Sequence, residues 1–263
     1  MTAVDAFYYT DPMCAWSWAA EPARQRAERE FAGELRLTYV MGGLAREFGP
    51  PLATLAAWLD AADASGMPID PRLWLQAPPR GSFAACVAVI VAGEQGLAGP
   101  YLRRAREAVA LQRRPLDDAP ALVHVARQVP GLDVARFQIG LSSHAALETF
   151  GTELERARGG EPDGLPRLEV PDPDGRTRQL RGAGLLDPQA WNRLLRDAGA
   201  TPSAAAPPSV EQALGERGPL ATAEIAAVCD LPGPAAPAAL WRLAGEWRVR
   251  VERHLGGEMW LPA

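Results

Sequence analysis

The first fifteen residues constrain the chain more than any other stretch. Val4–Tyr9 is rich in aromatic and β-branched residues and reads as a strand, which Asp11-Pro12 ends as a turn. Cys14 follows at once, and the spacing predicts a helix from there to about Glu30, carrying Trp18, Ala19, Pro22 and the charged run AERE, with Gly33 just past its end. Leu35–Met41 then alternates as LRLTYVM, a second strand stopped by Gly42-Gly43. The chain therefore opens as a β-α-β unit with a thiol where the first strand gives way to the helix.

From Leu44 to about Arg158 the sequence turns helical, in segments divided by Pro and Gly. Expected helices are Leu52–Ala64, an apolar Phe83–Gln95, an amphipathic Tyr101–Arg113, Ala119–Gln128 capped through Asp117-Asp118, Asp133–Leu141 and Ser143–Arg158, with PIDPRLW as a break. Strand signals return at Leu165–Val170, and the turn PDPDG leads to Arg176–Leu180, so the two read as a hairpin. Pro188–Ala198 makes a closing helix. The order is β-α-β, a helical insertion, then β-β-α, which is the thioredoxin arrangement with a helical domain inserted. We place its first part at 1–45, the insertion at 46–158 and its second part at 159–200.

Composition narrows the function classes. All 27 basic residues are arginine, so chemistry that needs a lysine, such as a Schiff base or a P-loop, is excluded. The net charge of −5 argues against a protein that coats nucleic acid and gives no reason to expect a membrane surface as partner. Three widely spaced cysteines do not make a secreted disulfide framework, and the first residues lack a basic, apolar leader, so the expectation is a cytoplasmic location. No run reaches the length of a membrane helix.

Cys14 is the chemical feature. A thiol at a helix start faces unpaired backbone N–H groups and the positive end of the helix dipole, so a lowered pKa and a nucleophilic sulfur are expected. Ser17 lies one turn on; its hydroxyl can donate to a thiolate but cannot form a disulfide. Asp11 is expected to cap the turn, Trp18 to enter the core and Trp16 to face substrate. Cys86, within FAACVAVIV, reads as a small core residue, the alternative being a replacement for the missing second thiol. Cys229 reads as core. His124, His144 and His254 make no metal-type spacing, so metal is not expected. No dinucleotide fingerprint and no Ser-His-Asp set is present.

DPMCAWSW resembles the active-site segment of cytoplasmic DsbA-family thioredoxin-fold proteins, in which C-x-x-C follows a short aromatic strand and Asp-Pro. MGGLAREF, GSFAACVAVIVAG and GLPRLEV are also similar to that family, and the resemblance covers about residues 4–198. It implies a cis-proline at Pro166 and a Leu165 backbone that pairs with bound substrate; Ser82 and Phe83, at the start of the Cys86 helix, are expected as pocket wall. In dithiol members the second cysteine releases the mixed disulfide. Serine at position 17 makes this a CxxS motif, so the expected activity is monothiol exchange or isomerase-like work through Cys14 and Ser17. It would act on a protein or small-molecule disulfide with no bound cofactor and a glutathione-type or mycothiol-type thiol as co-substrate. Family relatives that present substrates to proteases imply the alternative, a non-catalytic adaptor.

Thr201–Pro208 (TPSAAAPP) reads as a linker. The remaining 209–263 reads as three short helices and a hairpin, a winged-helix-like α+β domain, with Gly256-Gly257 as its turn. From Ser209 onward there are five arginines and seven acids, and the second helix of the motif, Ala235–Ala244, offers only Arg242 to a phosphate or base edge. A protein-interaction or dimerisation module, with a homodimer as one option, is favoured over a redox-sensing DNA-binding regulator.

Overall fold

The computed structural model describes residues 3–159, 164–171 and 174–263; the part of the expected hairpin turn at Asp172 and Pro173 lies outside them. Strand β1 (Val4–Thr10) pairs in parallel with β2 (Leu35–Met41), Val4 opposite Leu35 and Thr10 opposite Met41. On its other side β1 runs antiparallel to β3 (Arg167–Pro171), which pairs with β4 (Thr177–Arg181), giving the order β2-β1-β3-β4. The single helix expected after Cys14 is two: α1 (Ala15–Ala19) and α2 (Glu21–Glu30). The break comes from Pro22, which has no N–H to give the carbonyl one turn back.

Among the described residues, seven helices separate β2 from β3: α3 (Pro51–Ser65), α4 (Arg72–Gln76), α5 (Phe83–Gly93), α6 (Ala98–Ala110), α7 (Ala119–Ala126), α8 (Val134–Gly140) and α9 (His144–Gly159). Short α4 occupies the stretch expected as a break. Helix α5 is apolar on every side, and a helix without a polar face has to sit inside; Ala85–Ala92 are all buried, with α6, α7, α8 and α9 around them. Asp118 and Asp133 cap α7 and α8 by accepting from the N–H groups of Ala121 and Arg136. No helix among the described residues is long and apolar enough to cross a membrane.

A 3-10 turn (Gly182–Leu186) and α10 (Pro188–Asp197) close the sheet domain. Their Leu185, Trp191 and Leu195 meet Ala6, Tyr8, Leu168 and Val170 of the sheet, with Ala23, Ala27 and Phe31 completing that core. Residues 201–208 form neither helix nor strand.

The C-terminal part comprises α11 (Val210–Arg217), β5 (Leu220–Ala221), α12 (Thr222–Val228), α13 (Ala235–Gly245), β6 (Val249–His254) and β7 (Gly257–Pro262), its sheet ordered β5-β7-β6. Two-residue β5 carries no periodicity to read. This unit has its own core around Leu214, Ile225, Val228, Leu240 and Trp260, while Ala221 and Met259 join the core of the insertion. The seam is polar as well as apolar. Glu224 of α12, fully buried, accepts from Arg103 of α6, from the Gln25 amide of α2 and from the Ala221 N–H, and Arg26 pairs with Asp230 at 2.8 Å. A buried carboxylate is tolerated only when paired and hydrogen-bonded, so these residues hold the C-terminal unit against the rest.

Candidate functional site

β1 delivers its last residue, Thr10, and the turn Asp11-Pro12-Met13 to the head of α1, where Cys14 is the N-cap with extended backbone angles. Asp11 is fully buried and organises the turn. Its Oδ1 accepts from the Met13 N–H at 2.7 Å, and its Oδ2 accepts from the Leu44 N–H at 2.7 Å, the Ser82 hydroxyl at 2.6 Å and the Cys86 thiol at 3.2 Å. One carboxyl thus ties β1, the loop after β2 and the start of α5 together. Burial raises its pKa, and the four donors pull part of that rise back.

The Cys14 thiol is only 3% exposed. Its Sγ donates to the Leu165 carbonyl at 3.6 Å. Burial pushes its pKa up, and the negative charge of Asp11 adds to the rise. The Ser17 hydroxyl and N–H and the Arg106 guanidinium oppose it without reversing it. The direction is opposite to the lowered pKa expected from the sequence. The physical reason is burial: the sulfur sits under the Leu165 loop, shielded from the water that would solvate a thiolate.

Ser17 is fully buried, and a second layer supports it. Its Oγ accepts from the Thr10 hydroxyl at 2.8 Å, and Thr10 accepts from Arg106 of α6. Arg106 also pairs with Glu21 at the start of α2, which Arg24 binds at 2.7 Å and Arg103 at 3.3 Å. Burial works against the Glu21 carboxylate, yet Arg24, Arg106 and Arg103 outweigh it and hold its carboxyl well below the usual carboxylate range. The sequence reading missed Thr10, Glu21 and Arg106. The signal was there for Arg106, which shares an apolar stripe with Leu102 and Val109 at helical spacing.

The Leu165–Pro166 peptide bond is cis, and its loop brings the Leu165 carbonyl beside Cys14. Trp16, 38% exposed, forms with Leu165, Pro166, Ala64, Ala183 and Leu186 an apolar cleft of about 440 Å³. A second cleft of about 480 Å³ shares Gly164 and Leu165 with the first and adds Gly42, Gly43 and Arg158. Approach is tight at Gly42, where a Cβ would stand 2.6 Å from Leu165 Cδ2. The structure therefore brings Cys14, Ser17, Trp16, Leu165 and Pro166 together. Ser82 lies behind them, fully buried on Asp11, and Phe83 is half-buried, edge-on to Phe150 at 5.0 Å. The far wall, Ala183 and Leu186, comes from a 3-10 turn that no motif marked. Among the described residues no group of three or more His, Cys, Asp or Glu is placed to hold a metal ion.

Two proteins named ClpXP adapter protein SpxH are similar to this chain over nearly its whole length. The one from Shouchella clausii is 26% identical across 98% of this chain and 88% of its own, and the one from Halalkalibacterium halodurans is 24% identical over the same shares. Among solved structures, the cytosolic disulfide reductase DsbM from Pseudomonas aeruginosa superposes with a TM-score of 0.63 at 22% identity, covering 73% of this chain and 97% of its own. At that identity the likeness concerns the fold, which is thioredoxin-like and DsbA-like, with added helices. A family model described as Thioredoxin matches residues 7–176, from the middle of β1 to the entry of β4. That span takes in the thiol turn, the helical insertion and the proline loop, and the chain belongs to the thioredoxin family.

Proposed function

We propose that this chain is a protein-binding adaptor on a DsbA-like scaffold, and that the cleft between Trp16 and Pro166 receives an extended polypeptide. The observation that carries this reading is the state of the Cys14 thiol. Its sulfur is covered by the Leu165 carbonyl and burial raises its pKa, and position 17 of the CxxS motif supplies a hydroxyl engaged by Thr10 instead of a resolving sulfur. A thiol that stays protonated is a poor nucleophile, whereas an apolar cleft with an exposed backbone beside it suits a peptide. The relatives named ClpXP adapter proteins add support, because the likeness runs through the C-terminal unit as well.

The domain limits given above fit this reading, as does a cytoplasmic location for a chain whose three cysteines are all free. The helix order and terminal hairpin of the C-terminal unit support a winged-helix assignment. Its exposed α13 residues Ala238, Trp241 and Arg242 favour a protein partner over a nucleic acid.

A second reading has its own observation. Arg106 donates to Thr10, Thr10 to Ser17, and the Ser17 hydroxyl is directed at Sγ of Cys14. That chain of donors favours a thiolate whenever the cleft opens. Cys14 would then attack a mixed disulfide and expel one thiolate, and a glutathione-type or mycothiol-type thiol would attack the new disulfide to free Cys14.

A degradation assay separates them. With ClpXP and a protein that accumulates in cells lacking this chain, Cys14→Ser should support degradation at the wild-type rate and Trp16→Asp should not. Loss of degradation in Cys14→Ser, together with rapid turnover of a glutathione mixed disulfide by the wild-type protein, would replace the adaptor with the exchanger.

A further inference from the structure

We infer that the two clefts adjoining at Leu165 act as one groove with opposite charge at its ends. It selects an extended polypeptide with an acidic side chain on one flank, a basic side chain on the other and apolar residues between. The inference rests on the reading of the cleft as a polypeptide site and adds the chemistry of the occupant. Gly164 and Leu165 line both clefts. Trp16, Pro166, Leu186 and Ala64 of α3 belong to one, and Gly42, Gly43 and Arg158 of α9 to the other. A stretch of chain laid across Leu165 therefore has the end of α3 on one side and the end of α9 on the other.

At the α9 end the charge is positive and uncommitted. Arg158 is exposed and forms no ion pair or hydrogen bond among the described residues. Arg167, the other arginine of that cleft, is buried and already engaged, with Glu169 at 3.0 Å and the Ala157 carbonyl at 2.8 Å. Among the described residues no carboxylate lines this cleft. The Arg158 guanidinium is thus left for a carboxylate of the occupant, the partner with which it makes its strongest hydrogen bonds.

At the α3 end the charge is negative. Asp60 lies one turn before Ala64 on the same side of the helix, and Asp63 is beside it in the last turn. Both are exposed and unpaired among the described residues, and α3 itself contains no basic residue. Carboxylates here add to the negative end of the helix dipole, a placement that costs stability and that a cation on the occupant relieves. Repulsion discriminates as well as attraction. An occupant with two acidic flanks sets one against Asp60 and Asp63, and an occupant with two basic flanks sets one against Arg158.

Fluorescence anisotropy of the full chain with four labelled peptides tests the inference. All share a Ser-Val-Leu-Val-Ser centre; two carry Asp-Asp and Arg-Arg flanks in either order, one carries Asp-Asp on both flanks and one Arg-Arg on both. At low salt the wild type should bind the better mixed peptide about five-fold more tightly than either like-charged one, the size of an exposed ion pair. High salt should narrow that difference. Arg158→Glu should shift the preference to the peptide with two basic flanks, and Asp60→Arg combined with Asp63→Arg to the one with two acidic flanks. All three changes together should return it to the mixed peptides, with circular dichroism unchanged throughout. Trp16→Asp should abolish binding of all four. Equal binding of the four by the wild type, or variants that keep its order of preference, overturns the inference and leaves the cleft a polypeptide site. Binding of none, or binding that survives Trp16→Asp, overturns both.

Discussion

Thr10, the last residue of β1, donates its hydroxyl proton to Ser17 Oγ across 2.8 Å. Arg106 already donates to Thr10, so the Thr10 proton is committed to Ser17, and the Ser17 proton remains for the Cys14 sulfur. The serine is therefore a member of a buried donor chain that fixes α1 to the sheet.

Removing that member has two readouts. Ser17→Ala leaves the Thr10 hydroxyl without its acceptor, and a buried unpaired polar group costs about 1–3 kcal/mol. Urea denaturation should record a loss of that size. The alkylation midpoint of Cys14 should move further upward, because a donor to the thiolate is gone. An unchanged midpoint would mean that Ser17 does not act on the sulfur.

Glu21 sets the acid limit of stability. Glu21 and Arg106 are each about 1% exposed, so their pairing is shielded from water. The folded-state carboxyl lies below its unfolded value of about 4.3, so its contribution is fully present above that pH and is lost as pH falls through the folded value. Asp11 works in the opposite sense. Its pKa is raised, so its contribution is fully present below its unfolded value and is lost as pH rises through the folded one. Glu21→Gln should cost about 3–5 kcal/mol at neutral pH, because it strands the buried Arg106. It should also flatten the acid side of the profile of urea midpoint against pH. Parallel profiles for variant and wild type would contradict this assignment.

Glu224 holds the C-terminal unit. Glu224→Ala leaves Arg103 and Gln25 without their partner across the seam. Hydrogen exchange should rise on both α2 and α12, and proteases should cut first within 201–208. The interior of α5 should keep its protection, since α6, α7, α8 and α9 surround it.

Much of this architecture is written in local sequence. The aromatic strand, the Asp11-Pro12 turn and the apolar run of α5 are each set by neighbours in the chain, and the cleft lined by Trp16, Leu165 and Pro166 lies in the segments that carry the family resemblance. What the sequence hid depends on distant partners. The raised pKa of Cys14 comes from burial under the Leu165 loop, about 150 residues away, and from Asp11. Arg106 reads as a charged residue misplaced on an apolar stripe until Glu21 and Thr10 are seen opposite it. Asp11 reads as a turn cap, which it is, but the Ser82 and Cys86 contacts that make it a staple come from another domain segment.

The central claim is that Cys14 is a covered, neutral thiol at physiological pH. The direct measurement is the rate of Cys14 alkylation by iodoacetamide against pH, with Cys14→Ser as the background. The predicted profile is slow at neutral pH, with a midpoint above the ~8.5 of an ordinary cysteine. A fast reaction with a midpoint below about 7.5 would place Cys14 among the activated catalytic thiols and contradict the account.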